Sequence, residues 1–423
     1  MKNIKVVLII VLFCTFCMPG YTMNINVQSE NQQGLKASFN EVKLKADDGA
    51  ALDQFGRSVS LSGNRILIGA HWDRDNGPDS GSAYIYDFNG VSWEQTTKLL
   101  ANDGSTGDEF GYSVSLFGDR ALIGAFGDDE MGVDTGSVYV YDFDGKNWIQ
   151  TTKIFPSDVT GNNEFGRAVS LENNRALIGA SESNNSGSAY VFDFDGNNWL
   201  ETAKLVPEEG GVNEYFGWSV SLSTNRALIG SYGDNVYSGS AYVFDFTMDG
   251  WSETAKLVAS DGATSDQFGK SVSLSGNRAL IGSFLDDTEL GFNLGSAYVF
   301  ELKNSGWVET VKLTASDAHY TRQAQFGSSV SLLGNQALIG AQEDGDERNK
   351  TGSAYLFKFK NGIWNEVDKL TASDGDGGDR FGVSVSLSGK HILIGAKDDW
   401  DNGGKSGSAY VFVTDFIFEN DFD

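Results

Sequence analysis

Two short acidic stretches carry the residue types and spacing that could hold a hard cation. The first is "DRDNGPD", where Asp73, Asp75 and Asp79 share a turn with Asn76 and Gly77. The second is "DGDGGD", with Asp374, Asp376 and Asp379. Calcium is held by many oxygen ligands from a flexible loop, so these six aspartates are the candidate calcium ligands. Both stretches lack the bidentate acid that closes a full calcium loop. Binding chemistry of another kind resides in Trp72, Phe126, Tyr232, Phe284 and Trp400. Exposed aromatic rings suit contact with a protein or a sugar, and packing between structural units is their alternative use.

The catalytic inventory is thin. His71, His319 and His391 are the three histidines, they fall in different repeats, and each reads as a surface residue. The chain contains no G-x-S-x-G, no H-E-x-x-H and no P-loop. Acids are numerous enough to supply a carboxylate pair for glycoside chemistry, but number does not make a poised pair. The expectation is a non-catalytic protein, with a glycan-active lyase or hydrolase as the alternative.

These residues must be positioned by something repeated, because the chain says one sentence seven times. "DQFGRSVSLSGNRILIGA", Asp53 to Ala70, returns as "DEFGYSVSLFGDRALIGA" and "NEFGRAVSLENNRALIGA". Its Phe-Gly pairs fall at Phe55, Phe110, Phe165, Phe216, Phe268, Phe326 and Phe381, spaced by 55, 55, 51, 52, 58 and 55 residues. A period near 50 built of short alternating segments marks a ring or solenoid of β-units. Each unit reads as four strands: "RSVSLSG", the fully apolar "NRILIGA", "GSAYIYDF", and a run from Trp93 to a Lys-Leu pair. A tight Gly-Asn turn joins the first two. The Trp that opens the fourth strand recurs at Trp148, Trp199, Trp251, Trp307 and Trp364 and reads as packing between units.

There are six such fourth strands for seven units, and "FNEVKLKADDGA", Phe39 to Ala50, matches the missing tail at the N-terminal end. The expected fold is therefore all-β: a seven-bladed β-propeller of four-stranded antiparallel blades, with the N-terminal strand completing the last blade. Closure removes two unpaired strand edges, which a linear solenoid would instead have to cap.

The Phe-Gly, the Gly-Ala some 14 residues later and the following "GSAYVF" are similar to the FG-GAP repeats of integrin α-subunit propellers. The chain resembles still more the cysteine-free bacterial FG-GAP repeat proteins, over roughly residues 39 to 414. The resemblance implies the propeller fold and leaves function open, since a propeller hosts binding modules and enzymes alike. Two departures stand out. The residues after Gly-Ala or Gly-Ser are His71, Phe126, Ser181, Tyr232, Phe284, Gln342 and Lys397 rather than a proline. The calcium loop that several integrin-type repeats carry between the first two strands is replaced here by "LSGNRA", "LENNRA" or "LGNQA", so that site is not carried over to any residue.

The chain has 58 Asp and Glu against 31 Lys and Arg, a formal charge of −27 that argues against nucleic acid as a partner. The acids cluster in the loops between units and between second and third strands, which share one face of the ring. The opposite face has Arg65, Arg120, Arg175, Arg226 and Arg278, with Gln336 and His391 at the equivalent place. The expected partner is an extracellular protein or glycan on the acidic loop face, in adhesion or surface attachment. Solvated turns that keep the protein soluble are the plain alternative.

Residues 1–22 read as a signal peptide: Lys2 and Lys5, then an apolar run from Val6 to Met18, then Pro19 and Gly20. Cys14 and Cys17 lie inside it, so the mature chain would have no cysteine and no membrane insertion. Residues 23–37 read as a flexible lead-in, 38–414 as the propeller and 415–423 as an acidic aromatic tail. That tail is similar to short C-terminal tags on secreted proteins of some Gram-negative bacteria. The expected location is extracellular, at the cell surface or in the periplasm.

Overall fold

The second strand of each repeat is apolar along its whole length because both of its faces are covered. Ile66, Leu67, Ile68 and Ala70 are fully buried, as are their counterparts in every repeat. The computed structural model describes residues 39–158, 161–288, 291–318, 323–345 and 350–414. These form seven four-stranded antiparallel sheets arranged as a ring, with almost no helix. The expected leader, the lead-in, His319 and the tail lie outside the described residues. Among the described residues no helix is long and apolar enough to cross a membrane.

Within a blade the strands run in sequence from the channel outward, as in Ser58–Ser62, Arg65–Ala70, Ser82–Phe88 and Trp93–Leu99. The repeated Phe-Gly and Gly-Ala pairs are where neighbouring blades touch backbone to backbone. A Cβ on Gly69 would lie 1.9 Å from the carbonyl oxygen of Gly111, and Gly56 sits at φ +89° against the carbonyl of Ser408. Phe55 is buried edge-on against Tyr84 at 5.3 Å, and its N–H donates to the carbonyl of Ser406 at 3.0 Å. The same backbone bond joins every pair of neighbouring blades, so one short sequence builds all seven seams.

The ring closes as the repeat offset requires. The strand Phe39–Leu44 pairs antiparallel with Ser408–Thr414, in register from Phe39↔Thr414 to Leu44↔Ala409. Without it the last blade would expose a strand edge.

On the hairpin face Ser62 pairs with Arg65, leaving Gly63 and Asn64 as the turn. The arginines there do not form a free basic ring. Arg65 Nε donates to Asp87 at 2.7 Å while its guanidinium covers the Phe143 ring of the next blade at 4.5 Å. Arg120, Arg175, Arg226 and Arg278 pair in the same way with Asp142, Asp193, Asp245 and Glu301. Trp148 is buried beneath Arg65, in line with a packing role for the repeated tryptophans. Two histidines differ from the surface reading. His391 is buried edge-on against Trp93 at 5.4 Å, and His71 is buried between Trp72 and Tyr112.

Candidate functional site

The acidic loops are held by the lysine of each Lys-Leu pair. In the first blade the Lys98 ammonium lies 2.6 Å from Asp48, 2.9 Å from Asp73 and 2.7 Å from Asp75. Asp73 is buried and also accepts from the Ser82 and Tyr84 hydroxyls, each at 3.0 Å. Burial alone would lower the pKa of Lys98, but hydrogen bonds to Asp48, Asp75 and Asp73 outweigh it and hold that pKa above its usual value. Lys153 gathers Asp103, Asp128 and Glu130, and Lys43 gathers Asp374, Asp399 and Asp401. Lys204, Lys256, Lys312 and Lys369 each close on at least one such carboxylate. Each clasp ties an inter-blade loop or a strand-two exit to the outer strand.

The six candidate calcium ligands fall into this arrangement. Asp73 and Asp75 face an ammonium, and Asp79 turns to Arg74 at 3.8 Å. Asp374 accepts from Lys43 and from Tyr410, and Asp376 is exposed. Asp379 is buried, accepts the Asp376 N–H at 2.6 Å, and has its pKa pushed up to about 6, chiefly by burial. Asp73, Asp75 and Asp374 thus turn oxygens onto a cation supplied by the chain, with which a calcium ion would have to compete. Among the described residues no three of His, Cys, Asp and Glu assemble as a ligand set.

The aromatic candidates divide. Trp72 lines the mouth of the central channel, and Phe126, Tyr232 and Phe284 each lie against Arg167 or Lys270, which line it too. Trp400 does not join them; it sits on a loop of the last blade, 68% exposed. Tyr232 is buried, stacked on Tyr215 at 4.8 Å and edge-on to Trp218 at 4.7 Å. Phe126 meets Tyr112 at 4.5 Å.

What these rings surround was not among the candidates. The residue directly after each Phe-Gly opens the innermost strand next to the axis, and in the first five blades it is Arg57, Tyr112, Arg167, Trp218 and Lys270. These five build a ladder of alternating charge and ring. Arg57 covers the Tyr112 ring at 4.2 Å, with Arg167 at 5.3 Å from it. Arg167 and Lys270 each lie 3.7 Å from the Trp218 ring, and Lys270 is also 3.7 Å from Tyr232. The cavity they border has a volume of about 590 Å³ and is lined as well by serine and valine residues of the innermost strands. Its signal in the sequence was variation at one fixed register of otherwise constant repeats.

The electrostatics there run opposite to the clasps. Burial, with Arg167 and Arg57 nearby, pushes Lys270 down to about 7. Lys397 falls to about 8 by burial and by Arg57 and Arg380, against the pull of Asp398. Glu109 rises to about 7, chiefly by burial, and lies 3.9 Å from His71. His71 is held well below its usual value by burial, Arg57 and Lys397, so it is neutral at pH 7. Several displaced titrations gathered in one cavity make the channel mouth the candidate functional site.

A family model described as the FG-GAP repeat matches the chain seven times, over residues 39–86, 93–141, 148–192, 199–244, 251–300, 307–357 and 364–412. Each match starts on the outer strand of one blade and ends on the third strand of the next, the offset that closes the ring. No curated protein matches the chain.

Proposed function

The chain belongs to the FG-GAP repeat family, and from that premise we propose that it is a secreted, non-catalytic binding scaffold for an extracellular protein or glycan, acting in adhesion or surface attachment. The partner sits on the loop face and is anchored at the channel mouth. One observation carries this reading: the residue types that vary from blade to blade converge on the axis, whereas those that repeat are consumed in seams and clasps. A sevenfold scaffold acquires a specific site only where its symmetry is broken. Elsewhere on the loop face, exposed Val236, Phe292 and Trp400 offer further contact surface. The basic start and apolar run of residues 1–22 support secretion.

Screening the mature chain against glycan arrays and extracellular protein extracts tests the proposal. Capture weakened at least tenfold by Trp218→Ala supports it; capture indifferent to that change would remove the mouth from the account. One observation favours a second reading, a glycan-active lyase or hydrolase. Glu109 is a proton-holding acid at the mouth, suited in principle to general acid work. Product release from a captured glycan, abolished by Glu109→Gln, would replace the scaffold reading with that one.

A further inference from the structure

The clasp lysines each have a carboxylate, in a protein with nearly two acids for every base. Not all the cations at the channel mouth follow that pattern. Five of them border the cavity, Arg57, Arg167, Lys270, Arg380 and Lys397, against the single acid Glu109 among the described residues lining it. Arg167 has Glu164 at 2.8 Å, and Arg380 and Lys397 share Asp398 at 3.0 and 3.4 Å. Arg57 and Lys270 have no carboxylate partner among the described residues. Two further polar atoms there are buried without a hydrogen-bond partner, Nε of Arg167 and Nδ1 of His71. Withdrawing charge and donors from water without pairing them is costly, and so many in one cavity point to a missing acceptor.

We infer that the channel mouth is an oxyanion site, in which Arg57, Arg167 and Lys270 together seat a carboxylate or sulfate carried free in solution or on an acidic sugar. The inference rests on reading the mouth as the anchoring point. The ring ladder itself excludes a cationic ligand. An aromatic cage attracts a cation through open ring faces, but here Trp218 already carries Arg167 and Lys270, and Tyr112 carries Arg57 and Arg167. An incoming ammonium would meet those charges. An oxyanion restores what burial removed, because charge-assisted hydrogen bonds to guanidinium are short and strong. The surrounding loops restrict how it arrives. Half-exposed carboxylates such as Asp75, Glu130 and Asp261 rim the same face, so a broad acidic protein surface would be set against them. A small or slender anion passes between them into the cavity.

Calorimetric titration of the full mature chain separates the possibilities, with inorganic sulfate, galacturonate and its oligomers, neutral galactose and poly-glutamate as probes. Saturable binding of sulfate or galacturonate, weakened at least tenfold by both Lys270→Met and Arg57→Met, is the expected result. Melting curves of the two variants confirm that they fold. Sulfate alone identifies a free anion, and galacturonate alone a sugar-borne one. Absence of binding by either, binding that both variants retain, or binding of poly-glutamate only would overturn the inference. If anions fail while a neutral glycan or a protein is captured and then lost in Trp218→Ala, the anchoring proposal stands and the oxyanion falls. If anions bind as expected but nothing larger is captured, the reverse holds.

Discussion

Lys98 and Lys270 are the same side chain, both largely withdrawn from water on the same face of the ring, and they have opposite fates. Three carboxylates close on Lys98 and hold its charge firmly. Lys270 has two aromatic faces and two neighbouring guanidinium groups in range, and its pKa falls to about 7, so its charge is held only weakly at pH 7. The contrast separates architecture from function more sharply than charge does. The acidic loops look like a binding surface in the sequence, yet their converging aspartates are turned onto an internal ammonium. The unpaired cations, few and scattered along the chain, are the groups left with something to bind.

The largest test removes a clasp together with its strand. Deleting residues 39–46 takes away Lys43 and uncovers the edge of Ser408–Thr414, so the cooperative thermal transition should be lost. A truncated chain melting like the full one would break the closure argument.

Next in size is Lys98→Met, which leaves buried Asp73 without its cation and should lower stability by about 3 kcal/mol in denaturant unfolding. Calcium added to that variant should restore part of the loss, while the wild-type melt stays where it is, because only the variant leaves three carboxylates facing one vacant point. A wild-type melt that rises with calcium would refute the assignment of those aspartates to the clasp.

The same substitution at the mouth should act with the opposite sign. Lys270→Met removes a buried charge without a carboxylate partner and should raise stability by about 1 kcal/mol at pH 6. The pH dependence has a definite direction. With the folded pKa lowered to about 7 from 10.5, the folded state binds fewer protons than the unfolded one across that window. Wild-type stability therefore gains from Lys270 as pH rises from 7 toward 10.5, and the advantage of Lys270→Met should be greatest below pH 7 and fade by pH 10. An advantage constant with pH would mean that Lys270 is not desolvated as described.

The smallest effect belongs to Glu109. Its folded pKa is raised to about 7 from 4.5, so its contribution is fully present below pH 4.5 and lost as pH rises through 7. Glu109→Gln should flatten that part of the stability profile. An unchanged profile would place Glu109 in contact with water.

Much of this was legible beforehand. The count of Phe-Gly pairs, the four strands per unit and the strand borrowed from Phe39–Leu44 all followed from spacing, because a closed ring leaves little freedom once its unit is known. Gly56 and Gly69, part of the repeated phrase, lie against the backbones of neighbouring blades. Of the aromatic candidates, Trp72 lines the channel mouth, while Phe126, Tyr232 and Phe284 lie against the cations that do. Arg57, Tyr112, Arg167, Trp218 and Lys270 were not picked. Each lies in a different blade, with 55, 55, 51 and 52 residues between successive members, and nothing in any one repeat distinguishes it from an exposed strand residue.

The sequence by itself determined the ring, its blade number and its closure, because these depend on local periodicity and on one short phrase repeated at every seam. Only the tertiary structure decided what the charges do. Whether an aspartate faces solvent, a metal or an ammonium depends on which loop lies beside which outer strand, and that juxtaposition crosses blades. The cationic mouth exists for the same reason: residues far apart along the chain meet only when the ring closes around its axis.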